Sequence, residues 1–506
     1  MCTNMLANEY NRCEDLLMLL SDLLNKLNAV QVIGNLPARE VSGVEHDSRK
    51  VVDGSVFVAM KGFNTDGHLF IQDALNKKAV AIVVENNESI PDSLVSHFKA
   101  VKIVVNDSRQ ALAEISNSFF DKPSKKLRLI GITGTNGKTT TSYFLKNIYE
   151  TSGYKVGLMG TISNYIGNEK IESKLTTPES NDLNKMLNQM HIAGCDYSVM
   201  EVSSHSLALK RVHGLHFSFA VFTNITPEHL DFHRDFENYI KAKKILFDEL
   251  PLSSSAIYNN DELHSVDVIK DYNGLKYSFG TKSDSQFKIS DIKCDLTGTS
   301  FTIHYENKDY SLRTSLVGDF NAYNAAGAFA IAKLSGLKDK LIAEGISTTP
   351  QVPGRFEILS NGTRKVVIDY SHTPDSLEKT LMVIRNITEN KNPVCTVFGC
   401  GGNRDKLKRP LMGKIATELS DKVIVTSDNP RNENPSAIIE EIRSGITKDN
   451  YQVIEDREAA IAEAIKNSGK YSVILIAGKG HEDYQEIGGV RHHFSDKKVA
   501  KKILGI

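Results

Sequence analysis

The sequence is poor in features that would tie it to a membrane, to nucleic acid or to an oxidising compartment. Its six cysteines form no Cys-x-x-Cys pair and show no metal-ligand spacing. No signal-peptide pattern opens the chain, so we expect reduced thiols in the cytoplasm. Its apolar stretches are all shorter than the roughly 20 residues that a membrane span needs. A formal net charge of −1 provides no broad positive field for nucleic acid or anionic lipid.

The length and patterning of the chain predict three α/β domains. At roughly 150 residues per domain, 506 residues make about three. Short apolar strand patterns alternate with helical patterns, which favours doubly wound, mostly parallel sheets. A polar segment at 121–126 and a segment with two prolines at 349–354 indicate the boundaries. We therefore predict domains at 1–125, 126–352 and 353–506. Residues 1–14 are polar and unpatterned, and we expect either a disordered extension or a start codon placed too early.

The segment 127–141, LRLIGITGTNGKTTT, is the most informative part of the sequence. An apolar run passes into a glycine-rich turn, a lysine and a helical pattern, which is the order of a phosphate-binding loop. Backbone N–H groups and the helix dipole converge there on an anion, Lys138 can reach the outer phosphates, and the Thr139 hydroxyl can bind Mg²⁺. The sequence therefore predicts ATP or GTP use, rather than a glycine turn with an incidental lysine. The loop residues are Gly134, Thr135, Asn136, Gly137, Lys138, Thr139 and Thr140.

Two predicted strands in the same domain end in polar residues. Glu201 closes the strand YSVMEV, where a carboxylate could hold Mg²⁺, although a polar strand end that faces water is the alternative. The strand FAVFTNI is followed by Thr-Pro-Glu-His-Leu-Asp-Phe-His at 226–233. This segment is either the start of a helix or a His/Asp cluster for a second metal ion.

The helical pattern at 239–250 directs one lysine inward. Tyr239, Lys243, Leu246 and Leu250 recur at helical spacing and form an apolar stripe. A lysine on such a stripe is costly unless it is paired or chemically altered. On physical grounds alone, a side chain that extends to solvent is the favoured interpretation.

The usual phosphate-binding loop has four residues between its first glycine and the Gly-Lys pair, whereas here Gly134 and Gly137 enclose only two. This shortened loop, G-T-N-G-K-T-T, resembles that of the Mur ligase family, which builds the peptide of bacterial cell-wall precursors. Further segments with family likeness follow in the family's order at 318–326, 354–357 and 369–375. The resemblance implies that Asn324 reads adenine, that Arg355 is directed at the γ-phosphate, and that Asp369 and His372 contact the nucleotide. It also implies that Lys243 is carbamylated and helps to hold a second Mg²⁺. The implied metal ligands are Thr139, Glu201, His229 and Lys243, and the implied catalytic residues are Lys138, Lys243 and His229.

The N-terminal segments His46–Arg49 and Gly62–Gly67 resemble the uridine-diphosphate site of one branch of the family, which adds the third amino acid. The resemblance implies a sugar-nucleotide substrate, UDP-N-acetylmuramoyl-L-alanyl-D-glutamate. The implied contacts are Ser48, Asn64, Thr65, Thr176, Thr177, Ser203 and Arg211.

The tetrapeptide Asp428–Arg431 bears on which amino acid is added. Asp, Asn and Pro are turn formers, so a plain turn is one interpretation. The functional interpretation uses Arg431, because a guanidinium binds a carboxylate through two parallel hydrogen bonds. meso-Diaminopimelate has a distal carboxylate that lysine lacks, and D-N-P-R resembles the family's signature for that substrate. The implied amino-acid contacts are Arg404, Asp428, Asn429, Pro430, Arg431, Gly478 and Glu482, of which Glu482 could pair with the distal ammonium.

The resemblance thus implies an ATP-dependent amide ligase with a P-loop ATPase domain in the centre and a Rossmann-like C-terminal domain. Its expected cofactors are ATP and two Mg²⁺ ions, and its expected state is a monomer without nucleic acid or membrane insertion. Three alternatives stay open: the same ligase with L-lysine or another diamino acid, a folate-type glutamate ligase, and a nucleotide-gated binding protein without ligase activity.

Overall fold

The structure is a computed structural model, and it describes residues 17–25, 27–35, 38–63, 65–362 and 364–506. The chain forms two compact units. The first contains Met1–Gly134, Tyr149–Thr223 and Ile240–Tyr277, and the second contains Thr135–Ile148, Asn224–Tyr239 and Ser278–Ile506. None of the helices in the described ranges has the length and apolar character of a membrane-spanning helix. The cysteines within these ranges are free thiols: Cys195, Cys294, Cys395 and Cys400.

The first unit begins with a five-stranded sheet in the order β2-β7-β6-β5-β4. Strands β4 to β7 are parallel, and β2 is antiparallel to β7. Alternate residues of β5 belong to different apolar clusters, so both faces of the sheet are covered, as is usual for parallel strands. The strands are β2 Ala29–Ile33, β4 Gly43–Glu45, β5 Ser55–Val58, β6 Ala81–Val84 and β7 Val101–Val105. The helices are Ile71–Asn76, Asp92–His97 and Ser108–Phe119.

The strands β1 Met18–Leu19 and β3 Glu40–Val41, which flank β2 in the chain, form a separate small antiparallel pair. The helix between them covers only Leu20–Leu24. Short 3₁₀ turns occupy Gly67–Phe70, Asn87–Ser89 and Pro123–Lys125, the last of them within the polar segment that the sequence predicts as a linker.

The first unit also contains a sheet in which β8 is central. The order here is β11-β10-β9-β12-β8-β13-β14, and β9, β12, β8, β13 and β14 are parallel. The phosphate-binding loop therefore leaves β8 with the carboxyl ends of β12 and β13 on either side, the edge where ligands of open α/β sheets bind. The strands are β8 Arg128–Thr133, β9 Val156–Met159, β10 Ser163–Ile166, β11 Glu169–Glu172, β12 Tyr197–Glu201, β13 Phe217–Phe222 and β14 Ser255–Asn259. The helices are Ser180–Ile192, Ser204–Ala208 and Ser265–Ile269.

The second unit holds an antiparallel meander and two helices. Its strands are β16 Phe287–Asp295, β17 Gly298–Tyr305 and β18 Lys308–Thr314, and β16 pairs with the end of β15 Leu275–Gly280. The helix Asp319–Leu334 is buried along most of its length, because its many alanines allow close packing. The helix Asp339–Thr348 follows it. Three further helices that bear on the site are Lys138–Thr151, Leu230–His233 and Phe236–Asp248, of which the first and third cross from one unit into the other.

The C-terminal sheet of the second unit has the order β19-β20-β24-β21-β22-β23 and is parallel except at β19. An apolar cluster covers each face. The strands are β19 Glu357–Ser360, β20 Lys365–Asp369, β21 Val394–Phe398, β22 Lys422–Val425, β23 Tyr451–Val453 and β24 Val473–Ala477, with a separate hairpin of β25 Tyr484–Ile487 and β26 Val490–His493. The helices are Pro374–Ile387, Lys408–Leu419, Pro435–Arg443, Arg457–Asn467 and Asp496–Leu504. The carboxyl ends of β20, β24, β21 and β22 are adjacent, and the predicted contacts of this domain follow these strands.

Candidate active site

The phosphate-binding loop is fastened to the segment that follows β13. Thr135 donates its backbone N–H to the carbonyl of Asn224, and Asn136 donates its N–H to the Asn224 side chain at 2.9 Å. The Asn224 amide in turn donates to the Asn136 carbonyl at 3.1 Å. Gly137 has a φ of 87°, a left-handed conformation that favours glycine, directly before the helix that begins at Lys138. Hydrogen bonds to Asn224 therefore hold the loop backbone in place.

Side chains complete this arrangement. The Thr135 hydroxyl contacts Tyr239 Oη at 3.0 Å and the Thr226 carbonyl at 3.2 Å. The Lys138 ammonium donates to the Thr135 carbonyl at 2.7 Å. Thr139 lies in the first turn of the helix and is buried. Lys138 thus places a cation beside the backbone N–H groups of the loop, which is the charge distribution that a phosphate requires.

Glu201 is fully buried at the end of β12, where its Cα pairs with that of Ile132 in β8. Its carboxylate accepts hydrogen bonds from the backbone N–H of Thr161 at 3.0 Å and from the Thr161 hydroxyl at 2.9 Å. This carboxylate therefore does not face water. Its pairing partner on the neighbouring strand, Ile132, lies two residues before Gly134, where the phosphate-binding loop begins.

Lys243 is 1% exposed on the helix Phe236–Asp248. The apolar stripe therefore predicted its direction correctly, while the expectation that its ammonium extends to solvent is wrong. Lys244, by contrast, bonds to Asp248 and lies 2.7 Å from Asp271. Burial of a charged ammonium is energetically costly. Lys243 is therefore the lysine of this helix that we expect to be paired or chemically altered.

Glu228 joins two of the predicted segments within the second unit. Its carboxylate lies 3.3 Å from His372 Nε2 and 3.7 Å from His229 Nε2. His372 Nδ1 contacts the Tyr370 carbonyl at 2.8 Å, where it must donate, so Nε2 can donate to Glu228 only in the imidazolium form. Burial acts to raise the pKa of Glu228, but His372, His229 and Lys138 outweigh it and hold that pKa below its ordinary range. The sequence offered Glu228 only as the neighbour of His229.

The residues predicted to contact nucleotide from the C-terminal part of the chain begin at Arg355. Its guanidinium lies 4.5 Å from the centre of the Tyr370 ring, and its buried Nε has no hydrogen-bond partner among the described residues. Asp369 accepts a hydrogen bond from the Phe356 N–H at 2.7 Å and thereby fixes the chain beside Arg355. A buried guanidinium N–H without an acceptor is costly, and an anion would remove that cost. In the same unit, buried Asn324 donates to Asn321 at 3.1 Å.

Several of the predicted sugar-nucleotide contacts form one hydrogen-bonded cluster in the first unit. The Thr177 hydroxyl donates to the Glu201 carbonyl at 2.8 Å and accepts from the Ser203 N–H at 3.1 Å. Arg211 donates to the Thr177 carbonyl at 3.1 Å, and the Thr176 hydroxyl contacts that of Thr161 at 3.1 Å. The predicted contacts Ser48 and Thr65 lie in the N-terminal domain, and no hydrogen bond between described residues joins either to this cluster. Asn64 lies outside the described residues.

Glu45 lies three residues before Ser48 in the sequence. The free energy of unfolding should depend on the protonation of its carboxylate. Asn181 donates to the Glu45 carboxylate at 3.4 Å and bonds to His46 at 3.0 Å. Burial is the main cause that raises the pKa of Glu45 to about 7; the charges of Asp182 and Asp47 act in the same direction, and those of Lys50 and Lys185 act against it. The folded state therefore binds the proton more tightly than the unfolded state. The stability that protonated Glu45 gives to the folded state is fully present below pH 4.5 and is lost as the pH rises through about 7.

We expect Glu45→Gln to remove this pH dependence. The amide mimics the protonated acid, so the variant should match the wild type at pH 4.5 and be more stable at pH 8 by about 1–2 kcal/mol, after a discount for partial exposure. The measurement is the difference in Tm between variant and wild type as a function of pH. Glu40→Gln, at an exposed position, is the control. A difference that does not change with pH would contradict the burial effect.

The predicted amino-acid contacts meet at the ends of β22 and β24. Arg431 has a φ of 53° and donates to the Gly402 carbonyl at 2.7 Å, while its Nε lies 3.7 Å from Glu486. Asn429 donates to the Glu482 carboxylate at 2.8 Å. A Cβ at Gly478, where φ is 115°, would lie 2.6 Å from the Asp428 carboxylate, so this position requires glycine. The structure thus brings together Asp428, Asn429, Arg431, Gly478 and Glu482, whereas Arg404 is exposed on the glycine-rich loop.

Two buried arginines behind this cluster were not predicted. Arg457 is fully buried, pairs with Asp496 through two contacts of 2.8 Å, and donates to the Ala477 carbonyl at the end of β24. Arg409 is also fully buried and donates to the Gly401 carbonyl and to Glu433. The Arg409 hydrogen bond lowers the pKa of Glu433 to about 2. Both arginines fasten the strand ends and loops from which the predicted contacts extend.

Comparison with known proteins identifies the family. Three models match in order: "Mur ligase family, catalytic domain" over residues 40–120, "Mur ligase middle domain" over 132–332, and "Mur ligase, glutamate ligase domain" over 354–480. The chain is also 43% identical over 490 residues to the UDP-N-acetylmuramoyl-L-alanyl-D-glutamate--2,6-diaminopimelate ligase 1 of Clostridium acetobutylicum, covering 96% of this chain and 99% of that protein. This chain belongs to the Mur ligase family.

Solved structures agree with this Mur ligase assignment. One structure, named as a UDP-N-acetylmuramoyl-L-alanyl-D-glutamate--2,6-diaminopimelate ligase, superposes with a TM-score of 0.68 at 30% identity and covers 94% of this chain and 97% of its own. The MurF ligase from Thermotoga maritima in complex with ADP gives 0.62 at 18% identity and covers 92% of this chain and 98% of its own. At that lower identity the likeness concerns the fold. The predicted α/β class with three Mur ligase domains is confirmed.

The described residues of this Mur ligase contain no cluster of three or more His, Cys, Asp or Glu side chains arranged to hold a metal ion. That finding is compatible with Mg²⁺, which usually keeps several waters and takes one or two carboxylates together with substrate phosphates. The assignments of Thr139, Glu201, His229 and Lys243 as metal ligands therefore stay predictions.

Proposed function

We propose that this chain uses ATP to join meso-diaminopimelate to UDP-N-acetylmuramoyl-L-alanyl-D-glutamate in peptidoglycan precursor synthesis. The observation that carries the choice of amino acid is the cluster at the ends of β22 and β24, where Arg431 lies two residues after Asn429 and Asn429 donates to Glu482. The names of the relatives at 43% and 30% identity support the same substrates. In this proposal the sugar nucleotide binds at residues 1–125, ATP at 126–352 and the amino acid at 353–506.

The first chemical step transfers the γ-phosphoryl group of ATP to the free glutamyl side-chain carboxylate. The bond from the β,γ-bridging oxygen to the γ-phosphorus breaks, an acyl phosphate forms, and ADP leaves. The chain contributes mainly positioning and charge, because phosphoryl transfer needs little covalent chemistry from the protein. Lys138 and the loop N–H groups would hold the phosphates, and the unpaired Nε of Arg355 would meet a phosphate oxygen.

In the second step the amine nitrogen attacks the acyl carbon. The tetrahedral intermediate collapses with loss of phosphate, and the nitrogen loses a proton to give the amide. Water must be kept out, since it would hydrolyse the acyl phosphate. The Glu228–His372 pair joins the segment after β13 to the start of the helix Pro374–Ile387, and so holds a predicted metal-binding segment against a predicted nucleotide-contacting segment.

Magnesium fits the residues present. The buried Glu201 carboxylate, the Thr139 hydroxyl, His229 and a carbamylated Lys243 would provide oxygen and nitrogen ligands. When bound, Mg²⁺ would neutralise charge on the same phosphates that Lys138 would contact.

We expect Lys243 to be carbamylated in the active enzyme. Burial disfavours the ammonium, and carbamylation replaces it with an anion that Mg²⁺ can bind. Lys243→Ala should be nearly inactive, and a small carboxylate such as acetate should restore part of its turnover. Lys241→Ala, on the exposed side of the same helix, is the matched control. A nucleotide-bound crystal structure with an unmodified Lys243 ammonium away from any metal ion would overturn this prediction.

One assay tests the function as a whole. The enzyme is incubated with ATP, UDP-N-acetylmuramoyl-L-alanyl-D-glutamate and a panel of amino acids, and products are identified by mass while phosphate release is recorded. The expected result is a tripeptide product with meso-diaminopimelate, and phosphate release that requires both the sugar nucleotide and the amine. Product with L-lysine instead would support the other diamino-acid ligase. Nucleotide binding without any product would support the nucleotide-gated protein.

A further inference from the structure

Lys479 is a fully buried lysine within the amino-acid cluster, although lysine is rarely buried without a partner. Its ammonium donates to Asn429 Oδ1 at 3.0 Å and to Glu482 Oε2 at 3.2 Å. It also lies 5.4 Å from the centre of the Tyr484 ring. Lys479 therefore contacts two of the residues that the proposed function assigns to the amino acid, and it was not itself predicted as a site residue.

The contact with Lys479 fixes the orientation of the Asn429 amide. Oδ1 accepts two hydrogen bonds, from Lys479 and from the Glu486 N–H at 3.0 Å. Nδ2 therefore faces Glu482, to which it donates at 2.8 Å. With the amide reversed, Nδ2 would face an ammonium and a backbone N–H, and two donors would oppose it.

Lys479 also selects which atoms stay available to a ligand. Oε2 of Glu482 accepts from both Lys479 and Asn429, while Oε1 accepts no hydrogen bond from any described residue. Asn429 Nδ2 carries two N–H groups and uses one on Glu482. One Glu482 carboxylate oxygen and one Asn429 amide N–H thus have no hydrogen-bond partner among the described residues, and Arg431 lies two residues after Asn429. An ammonium and a carboxylate on one carbon match this acceptor and these donors.

We propose that Lys479 is a positioning residue that orients Asn429 and Glu482 into a receptor for the zwitterionic head group of an α-amino acid. The inference rests on the proposed function, because it takes the distal end of meso-diaminopimelate as that head group. Lys479 acts through its two neighbours and does not need to touch the substrate.

The experiment compares Lys479→Met with the wild type and with Lys470→Met, the same substitution at an exposed lysine. KM is measured separately for meso-diaminopimelate, ATP and the sugar nucleotide, with kcat and Tm. We expect the KM for diaminopimelate to rise by about tenfold or more in Lys479→Met, because misoriented side chains of Asn429 and Glu482 would no longer form their hydrogen bonds to the substrate. The other two KM values should stay within about twofold, as in Lys470→Met. Lys479→Arg, which keeps a cation, should recover part of the lost affinity.

Equal increases in all three KM values would overturn the proposal, since they would indicate a merely structural role, and so would an unchanged KM for diaminopimelate. If Lys479→Met melts below the assay temperature, Lys479→Gln is measured in its place with the same expectations. A wild-type enzyme that makes no product with meso-diaminopimelate would instead reject the proposed function.

Discussion

Lys138→Ala is expected to abolish product formation while leaving the fold intact. The Lys138 ammonium donates to the Thr135 carbonyl and lies at the start of the helix that follows β8. In the proposed function, Lys138 is the cation of the phosphate-binding loop at the place where negative charge develops during phosphoryl transfer. The loop is fastened to Asn224 through backbone and amide contacts that do not involve this side chain, so the substitution should not release it.

The measurement is kcat for tripeptide formation, accompanied by Tm. Lys146→Ala, on the same helix, serves as the control. Thr139→Ala and Glu201→Ala should act through Mg²⁺ and be partly relieved by excess metal, whereas Lys138→Ala should not be. If Lys138→Ala kept more than about a tenth of wild-type turnover, a loss below ~1.4 kcal/mol, the phosphate role would be wrong.

Arg431→Ala is expected to lose most activity with meso-diaminopimelate and little of any activity with L-lysine. Arg431 is held by the Gly402 carbonyl and lies 3.7 Å from Glu486, with only about a fifth of its side chain exposed. A carboxylate ligand would satisfy this guanidinium, whereas lysine brings no anion to it. Sites built around a polar group commonly reject analogues that lack its partner by ~10⁴-fold. Loss of a buried charge pair should reduce binding by on the order of 2–5 kcal/mol.

The comparison to make is kcat/KM for both amino acids in wild type and variant. Arg491→Ala, which removes an exposed guanidinium from the β25–β26 hairpin, is the matched control. The ratio of kcat/KM for diaminopimelate to kcat/KM for L-lysine should fall, because the value for diaminopimelate decreases while that for L-lysine changes little. Equal use of both amino acids by the wild type, or equal losses in Arg431→Ala, would contradict the specificity assignment and leave the ligase assignment in place.

Features that are determined by residues close together in the chain could be predicted from the sequence. The helical spacing around Lys243 predicted an inward side chain, and the side chain is 1% exposed. The order of strand, glycine turn and lysine predicted the loop between β8 and its helix. The position of Glu201 at a strand end placed it beside β8, because parallel strands end at one edge of a sheet.

Features that depend on contacts between distant parts of the chain could not be predicted from the sequence. Glu228 and His372 are far apart in sequence, and nothing local to either residue predicts their contact. The burial of Lys479, Arg409 and Arg457 depends on acceptors from other strands and loops, and the sequence pattern favours exposure for such residues. The amide direction of Asn429 likewise depends on Lys479 and on the backbone of β25.

The fastening of the phosphate-binding loop to Asn224 bears on how tightly a nucleotide can bind. A loop that must be ordered at the moment of binding reduces affinity by the conformational entropy lost there. Here the hydrogen bonds between Asn136 and Asn224 and between Thr135 and Tyr239 hold the loop before any phosphate arrives. We therefore expect that little of the free energy of phosphate binding is lost to ordering this loop.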